Sequence, residues 1–234
     1  MHLYKWPYFL HLWSSLVRKN RLPKFPDDYI SDKAEEYDTS SWMERNQKRA
    51  TLLSIQYLYD EKLSGKEDNG INVGDSSLIL DLGCGTGFSS EILLENGFRV
   101  IGIDILRDMM FKAREKKKGF KNYKNLELIL ADINFLPIKG ASIDHIISIS
   151  SYNFIAYGKE NFGEKIKLLN DTAKYLNKIL KKRGRIIIEF YPKDDKELKV
   201  FKNSFINNGF EGYMVKNKPS QKSGQTFLLL KKIS

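Results

Sequence analysis

Residues 79–87 read ILDLGCGTG, and 23 residues after Asp81 a second apolar run, RVIGID, ends on Asp104. Leu78, Ile79, Leu80 and Leu82 form the short apolar run expected of a strand buried on both faces of a parallel sheet. Gly83, Gly85 and Gly87 follow at alternate positions, and glycine admits the positive φ of a tight turn and lets a ligand approach the backbone. Phe88 to Glu95 (FSSEILLE) then has helical spacing, with Ser89 and Ser90 as candidate caps. A ligand over such a turn meets the free N–H groups of a helix N-terminus. The second strand delivers Asp104 to the same edge, where a carboxylate accepts the hydroxyls of a ribose.

The glycine spacing separates two cofactor classes. Dinucleotide sites use G-x-G-x-x-G, spaced for a pyrophosphate. Here the spacing is G-x-G-x-G, directly preceded by Asp81-Leu82. That form resembles motif I of the class I S-adenosylmethionine-dependent methyltransferases. The resemblance implies S-adenosyl-L-methionine as cofactor, with Asp81, Gly83, Cys84, Gly85, Gly87, Asp104 and Ile105 in its site. Cys84 is the only cysteine and reads as a small residue filling the turn rather than as a nucleophile. One cysteine and three scattered histidines (His2, His11, His145) offer no disulfide framework and no expected metal site.

The 234 residues suffice for one well-buried α/β domain with extensions, and 41% hydrophobic content is that of a globular chain. A formal charge of +10 favours polyanions, anionic lipid or acidic partners without choosing among them. The apolar stretch at 8–17 is interrupted by His11, Ser14 and Ser15 and is too short to span a bilayer. No membrane insertion is expected, and a cytoplasmic location is.

Three regions follow along the chain. Residues 1–26 form an aromatic, basic extension without an acid before Asp27. Residues 27–75 form a helical cap and linker, with a helix expected from Trp42 to Leu63 and a turn-rich stretch at 64–75. Residues 76–234 form the core. Strands are expected at 78–82, 99–104, 126–132, 144–150 and 185–191, with helices near 88–96, 106–118, 163–182 and 194–208. Two more strands, 211–217 and 225–232, close the chain as a hairpin. This predicts an α/β fold: a doubly wound, mostly parallel seven-stranded sheet with an N-terminal helical extension.

Further candidates lie at the expected carboxyl edge of the sheet. Asp132-Ile133 follow the strand LELILA, where an acid accepts an adenine amino group or caps a turn. Ser148 and Ser150 end the next strand, and Tyr152, Asn153, Phe154 and Tyr157 follow at once. The fifth strand ends at Tyr191-Pro192, since proline cannot donate to the ladder. Aromatic rings at this edge sandwich a planar substrate or pack under a loop, so Tyr152, Asn153, Phe154 and Tyr191 are the candidate catalytic residues. The lysines at 112–124 and 174–182 crowd helix ends, where positive charge is favourable without a ligand.

Four segments support a narrower resemblance: EEYDTSSWMERNQKRATLLSIQYL, DLGCGTGFSSEIL, SISSYNFI and EFYPKDDKEL. Together they are similar to the small-subunit rRNA guanine-N7 methyltransferase family of eukaryotes, over roughly residues 26–232. Where that family often has a Trp-containing stretch, this chain reads SYNF. The resemblance adds Tyr37 and Ile133 to the cofactor site. It implies RNA as substrate and a heterodimer with a small zinc-binding activator protein, docked on the edge strand 126–132. Guanine N7 carries an in-plane lone pair and no proton, so no general base is required. Two other readings stay open: a methyltransferase of a quinone or other small metabolite, and a cofactor-binding ribosome-assembly factor.

Overall fold

In the computed structural model, residues 24–63, 76–217 and 225–233 are described. The aromatic arm up to residue 23 and the turn-rich stretch at 64–75 lie outside the described residues. Seven strands form one sheet in the order β3-β2-β1-β4-β5-β7-β6: β1 Leu78–Leu82, β2 Arg99–Asp104, β3 Leu126–Leu130, β4 Ile143–Ser148, β5 Leu180–Glu189, β6 Phe210–Lys216 and β7 Thr226–Lys232. All pairings are parallel except those of β7 with β5 and β6. The strand order reverses between β1 and β4, so a crevice opens there at the carboxyl ends of the strands.

Among the described residues, six α-helices flank the sheet: α1 Asp32–Asp38, α2 Ser41–Leu58, α3 Phe88–Glu95, α4 Arg107–Lys117, α5 Phe162–Ile179 and α6 Asp195–Ile206. Leu169, Ala173, Leu176, Phe201 and Phe205 of α5 and α6 bury one face of the sheet. Ala50, Ile55 and Leu58 of α2, with Ile92, Leu93 and Leu94 of α3, bury the other. The result is the three-layer sandwich predicted from the alternation of strands and helices.

Several boundaries differ from the sequence expectation for physical reasons. The short helix α1 was not expected; its stretch DKAEEYD offers one buried apolar residue, Ala34, and so carries little periodicity. The helix expected to reach Leu63 ends at Leu58, followed by a separate 3-10 turn at Glu61–Leu63. β3 stops at Leu130, before Asp132, which lies in a turn instead. β5 begins at Leu180 rather than 185. The residues after Leu180, Lys181 to Arg183, are charged and exposed, and a register irregularity opposite Ile143–His145 absorbs the left-handed Arg183.

Two polar clamps fix the layers at the end of the sheet away from the crevice. Asp144 accepts from the Leu78 amide at 2.9 Å and from Lys181 Nζ at 2.7 Å, tying β4 to β1 and β5. Arg185, fully buried on β5, donates to the carbonyls of Leu58 at 2.6 Å and Asp60 at 3.2 Å. A guanidinium there satisfies otherwise orphaned C-terminal carbonyls of α2 and complements the helix dipole. Arg185→Ala should therefore lower unfolding free energy by about 3 kcal/mol or more, read from the urea midpoint, through lost packing and stranded carbonyls.

Candidate functional site

β1 ends at Leu82, and the chain turns at Gly83, whose φ is +72°. A Cβ there would lie 2.2 Å from the Ser151 Cβ, so only glycine lets the β4 loop close over the turn. The Leu82 carbonyl accepts from both Ser148 Oγ at 3.0 Å and Ser151 Oγ at 2.6 Å, which joins the two strands across the switch point. Gly85 donates to Asp104 Oδ2 at 2.9 Å, and the Leu106 amide donates to Oδ1 at 2.8 Å. Asp104 is thus held at the end of β2 with each oxygen oriented by one amide. Burial raises its pKa, and these amides oppose the rise.

Asp81 is fully buried under the turn. Its Oδ2 accepts from Ser89 at 2.7 Å and Ser90 at 2.6 Å, while Oδ1 has no partner among the described residues. Ser89 and Ser90 were expected as helix caps; they serve as donors to Asp81 instead. Burial pushes the Asp81 pKa to about 6, the two serines pull it down, and the Asp104 charge adds to the rise. An orphaned buried carboxylate oxygen at a glycine turn is an acceptor suited to a cationic or donor group. Cys84 is buried, 3.7 Å from Met110 Sδ, and burial followed by the charges of Asp81 and Asp104 raises its thiol pKa, which disfavours a thiolate.

The remaining expected residues divide. Ile105 is half exposed beside Asp104, and Ile133 packs against the core. Asp132 Oδ1 accepts from both the amide and the side chain of Asn134 at 2.8 Å, so this carboxylate caps a turn. Tyr37 is half-buried and stacks on Phe88, centroids 6.3 Å apart; burial, then the charges of Tyr29, Asp104 and Glu189, raise its pKa. Ser148 is buried with its hydroxyl committed to Leu82. Ser150, left-handed at φ +55°, donates to Glu189 Oε2 at 2.5 Å.

Of the candidate catalytic residues, Tyr152 requires correction. Tyr152 is 0% exposed, packed against Phe201 and Phe205, and its hydroxyl has no partner among the described residues; it is a core residue and does not reach the cleft. Phe154 is covered by the chain itself. Phe25 stacks on it at 5.0 Å, Tyr29 meets it edge-on at 5.8 Å, and Tyr157 packs edge-on to Phe25. The Tyr152 ring is closed off, whereas Phe154 stays half-buried among these rings. The structure does bring Asn153 and Tyr191 together, with Asn153 Nδ2 donating to the Tyr191 carbonyl at 2.8 Å. The Tyr191 ring is 40% exposed at the cleft rim.

Glu189 was not among the expected site residues. It is buried at the end of β5 and accepts from Ser150, from the Tyr191 hydroxyl at 2.6 Å and from Gln225 Nε2 at 2.7 Å. Burial raises its pKa and all three donors oppose the rise. One acid ending the otherwise apolar run RIIIEF was the available signal. The lysines at 112–118 are largely structural: Lys112 pairs with Glu35, and Lys116 pairs with Asp38 and lies 3.9 Å over Phe88. An open hollow of about 470 Å³ beside them is lined by Asp38 of α1, Phe88 and Glu91 of α3, Glu115 and Lys116 of α4, and Phe120. Glu189 and Tyr191 are not among its lining residues.

Two expectations follow from these environments. Tyr152→Phe removes a buried hydroxyl that bonds to nothing, so stability should be equal or higher by up to about 1 kcal/mol and ligand binding unchanged. Acid stability should show opposed contributions from His145 and Asp81. Burial, opposed by the Asp144 charge and helped by those of Arg185 and Lys181, pushes the His145 pKa to about 4. Between about pH 6.5 and 4 the unfolded chain binds a proton there that the folded chain does not, so stability falls by up to about 3 kcal/mol as pH drops. Asp81, raised to about 6, has the reverse sign between about 6 and 3.8. The isosteric Asp81→Asn variant should therefore lose stability more steeply than the wild type from pH 6 to 4.5 in urea titrations.

Comparisons place this arrangement among known proteins. A family described as methyltransferase domain matches residues 74–225. The 18S rRNA (guanine(1575)-N(7))-methyltransferase of Saccharomyces cerevisiae is 29% identical over 196 residues, covering 83% of this chain and 64% of that protein. The 18S rRNA (guanine-N(7))-methyltransferase of Schizosaccharomyces pombe is 28% identical over 184 residues, 78% of this chain and 66% of that protein. The chain thus spans somewhat under two thirds of the length of these relatives. Magnesium protoporphyrin IX methyltransferase from Synechocystis PCC 6803, solved with bound S-adenosylmethionine, superposes with a TM-score of 0.60 at 19% identity, over 88% of this chain and 94% of that one. A putative methyltransferase from Haloferax volcanii, solved in complex with the Trm112 methyltransferase activator, gives 0.56 at 14% identity, over 87% and 98%. With a matched region that runs from just before β1 to the start of β7 and takes in the whole glycine turn, the chain belongs to the methyltransferase domain family.

Proposed function

We propose that this protein transfers a methyl group from S-adenosylmethionine to a base of RNA, guanine N7 of small-subunit rRNA, together with an activator subunit. The observation that carries the cofactor reading is the paired acids at the glycine turn. Asp81 keeps a buried oxygen without a partner, and Asp104 is held by two amides at the end of β2. Asp104 would accept the ribose hydroxyls, Asp81 would answer the charged amino end, and Tyr37 over Phe88 would cover the site. When bound, the cofactor supplies a sulfonium methyl for in-line transfer to a lone pair.

The residues at the cleft suit a base that needs no deprotonation. Cys84 is held protonated, and His145 lies away from the cleft, its ring accepting from the Arg185 amide. Tyr191 offers a ring face whose hydroxyl is fixed by Glu189 and whose backbone is tied to Asn153. Such a platform can receive a base extruded from its stack, and catalysis then rests on alignment. The substrate class is supported by the rRNA guanine-N7 methyltransferase relatives. The activator reading is supported by β3, an edge strand whose Leu130 is 55% exposed, and by the Haloferax methyltransferase solved with its activator. Unpaired backbone on such an edge accepts a further strand. Binding of zinc by that partner and work in the cytoplasm belong to the same proposal.

Asp104→Ala should weaken S-adenosylmethionine binding by on the order of 10- to 100-fold in calorimetry, the loss expected for hydrogen bonds to a charged group. Tritium transfer from the labelled cofactor should appear in small-subunit rRNA when the protein is co-expressed with its activator. Cofactor binding without transfer to any RNA, but with transfer to a small metabolite, would replace the RNA reading.

A further inference from the structure

Helix α2 lies antiparallel to β5 on the sheet. Its C-terminal carbonyl at Leu58 meets Arg185 partway along β5, so its N-terminal half reaches toward the strand end that holds Glu189 and Tyr191. Its outward positions recur at helical spacing: Trp42, Arg45, Arg49, Leu52 and Gln56 are all exposed. An outer helix face normally mixes charges of both signs with polar residues. This one holds no acid, two arginines, and two large apolar side chains, Trp42 at 62% and Leu52 at 45% exposure.

The acids of the neighbourhood are used elsewhere. Glu44 and Glu91 both pair with Lys48, at 2.8 and 2.7 Å, on a different face of the helix. The guanidinium groups of Arg45 and Arg49 make no ion pair or hydrogen bond with a described residue. Arg49 is nonetheless near the cleft. It is one of the groups that act on the Tyr191 phenol, pulling its pKa down against the larger push of burial and Glu189. The stripe extends about 15 Å along the helix from Trp42 to Leu52, with Arg49 on its course.

We infer that the outer face of α2 is the track on which single-stranded RNA flanking the target base is held, with Arg45 and Arg49 on phosphates and Trp42 stacking on a base. An acid-free stripe of arginines with an exposed indole matches the chemistry of a single strand, a line of phosphates beside open base faces. The chain's own residues 1–26 fit the stripe less well, because they too are basic. The assignment rests on the RNA reading above and gives that reading its binding surface.

The test is fluorescence anisotropy of the full chain with its activator, using a labelled 20-nucleotide single-stranded RNA over a salt series. Arg45→Ala/Arg49→Ala should weaken binding about 10-fold at 0.1 M salt and flatten the slope of log affinity against log salt by about 1.4, two single-strand phosphates' worth. Trp42→Ala should weaken binding about 10-fold with the slope unchanged. Lys167→Ala/Lys174→Ala, the same charge loss on the exposed face of α5 in the opposite layer, should leave both nearly as in the wild type. Equal losses from the two double variants would overturn the track in favour of unspecific charge. Unchanged RNA binding with a lowered melting temperature would assign the stripe to a segment of this chain, and unchanged RNA binding with loss of the activator would assign it to a protein partner. Normal methylation and RNA binding by the α2 variants would defeat the track alone. Stripe-dependent RNA binding without any methyl transfer would defeat only the enzymatic reading.

Discussion

There is no room for a side chain at position 83, and much of the site depends on that constraint. With only hydrogen at this Cα, Ser151 can lie against the turn and share the Leu82 carbonyl with Ser148. The β4 loop is thereby fixed over the end of β1, at the point where the strand order reverses. The same turn directs the Gly85 amide onto Asp104 and starts α3, whose serines hold Asp81. A larger residue would separate β1 from the β4 loop and disconnect the two acids from the rim.

That arrangement also explains how charge is managed in a site of buried carboxylates. Asp81, Asp104 and Glu189 are all raised by desolvation, and each is met by neutral donors rather than by a buried cation. Neutral donors hold a carboxylate in place while leaving its negative potential largely uncompensated. A cationic ligand entering the crevice therefore meets a field already set by the protein. Arg185, the fully buried cation, is kept at the far end of the layers, where it closes α2.

Local regularities were legible in the sequence, and pairings between distant segments were not. The glycine turn, Asp104 at the end of its strand and the terminal hairpin each follow from short-range pattern, and the sheet contains them as read. Tyr152 was misread because a tyrosine just after a strand has the same local appearance whether it faces a cleft or packs on a helix; Phe201 and Phe205 decide the matter from far along the chain. The rings that pack on Phe154 were not legible, because Phe25 and Tyr29 lie more than 120 residues earlier in the sequence. Glu189 went unnoticed because its donors come from three separate segments, and nothing near RIIIEF announces Ser150 or Gln225.

The aromatic contacts around Phe154 bear on the order in which the molecule is assembled. Tyr157, Phe25, Phe154, Tyr29, Tyr37 and Phe88 touch in succession, so a single run of rings links the β4 loop to α3 through the N-terminal segment. Phe25 and Tyr29 leave the ribosome more than 120 residues before their partners at 154 and 157. Closing so long a loop is entropically costly until the intervening sheet has formed. The cover over the crevice is therefore a late product of folding, added to a scaffold already built, and the nascent chain carries these rings without their partners until the fourth strand and its loop have emerged.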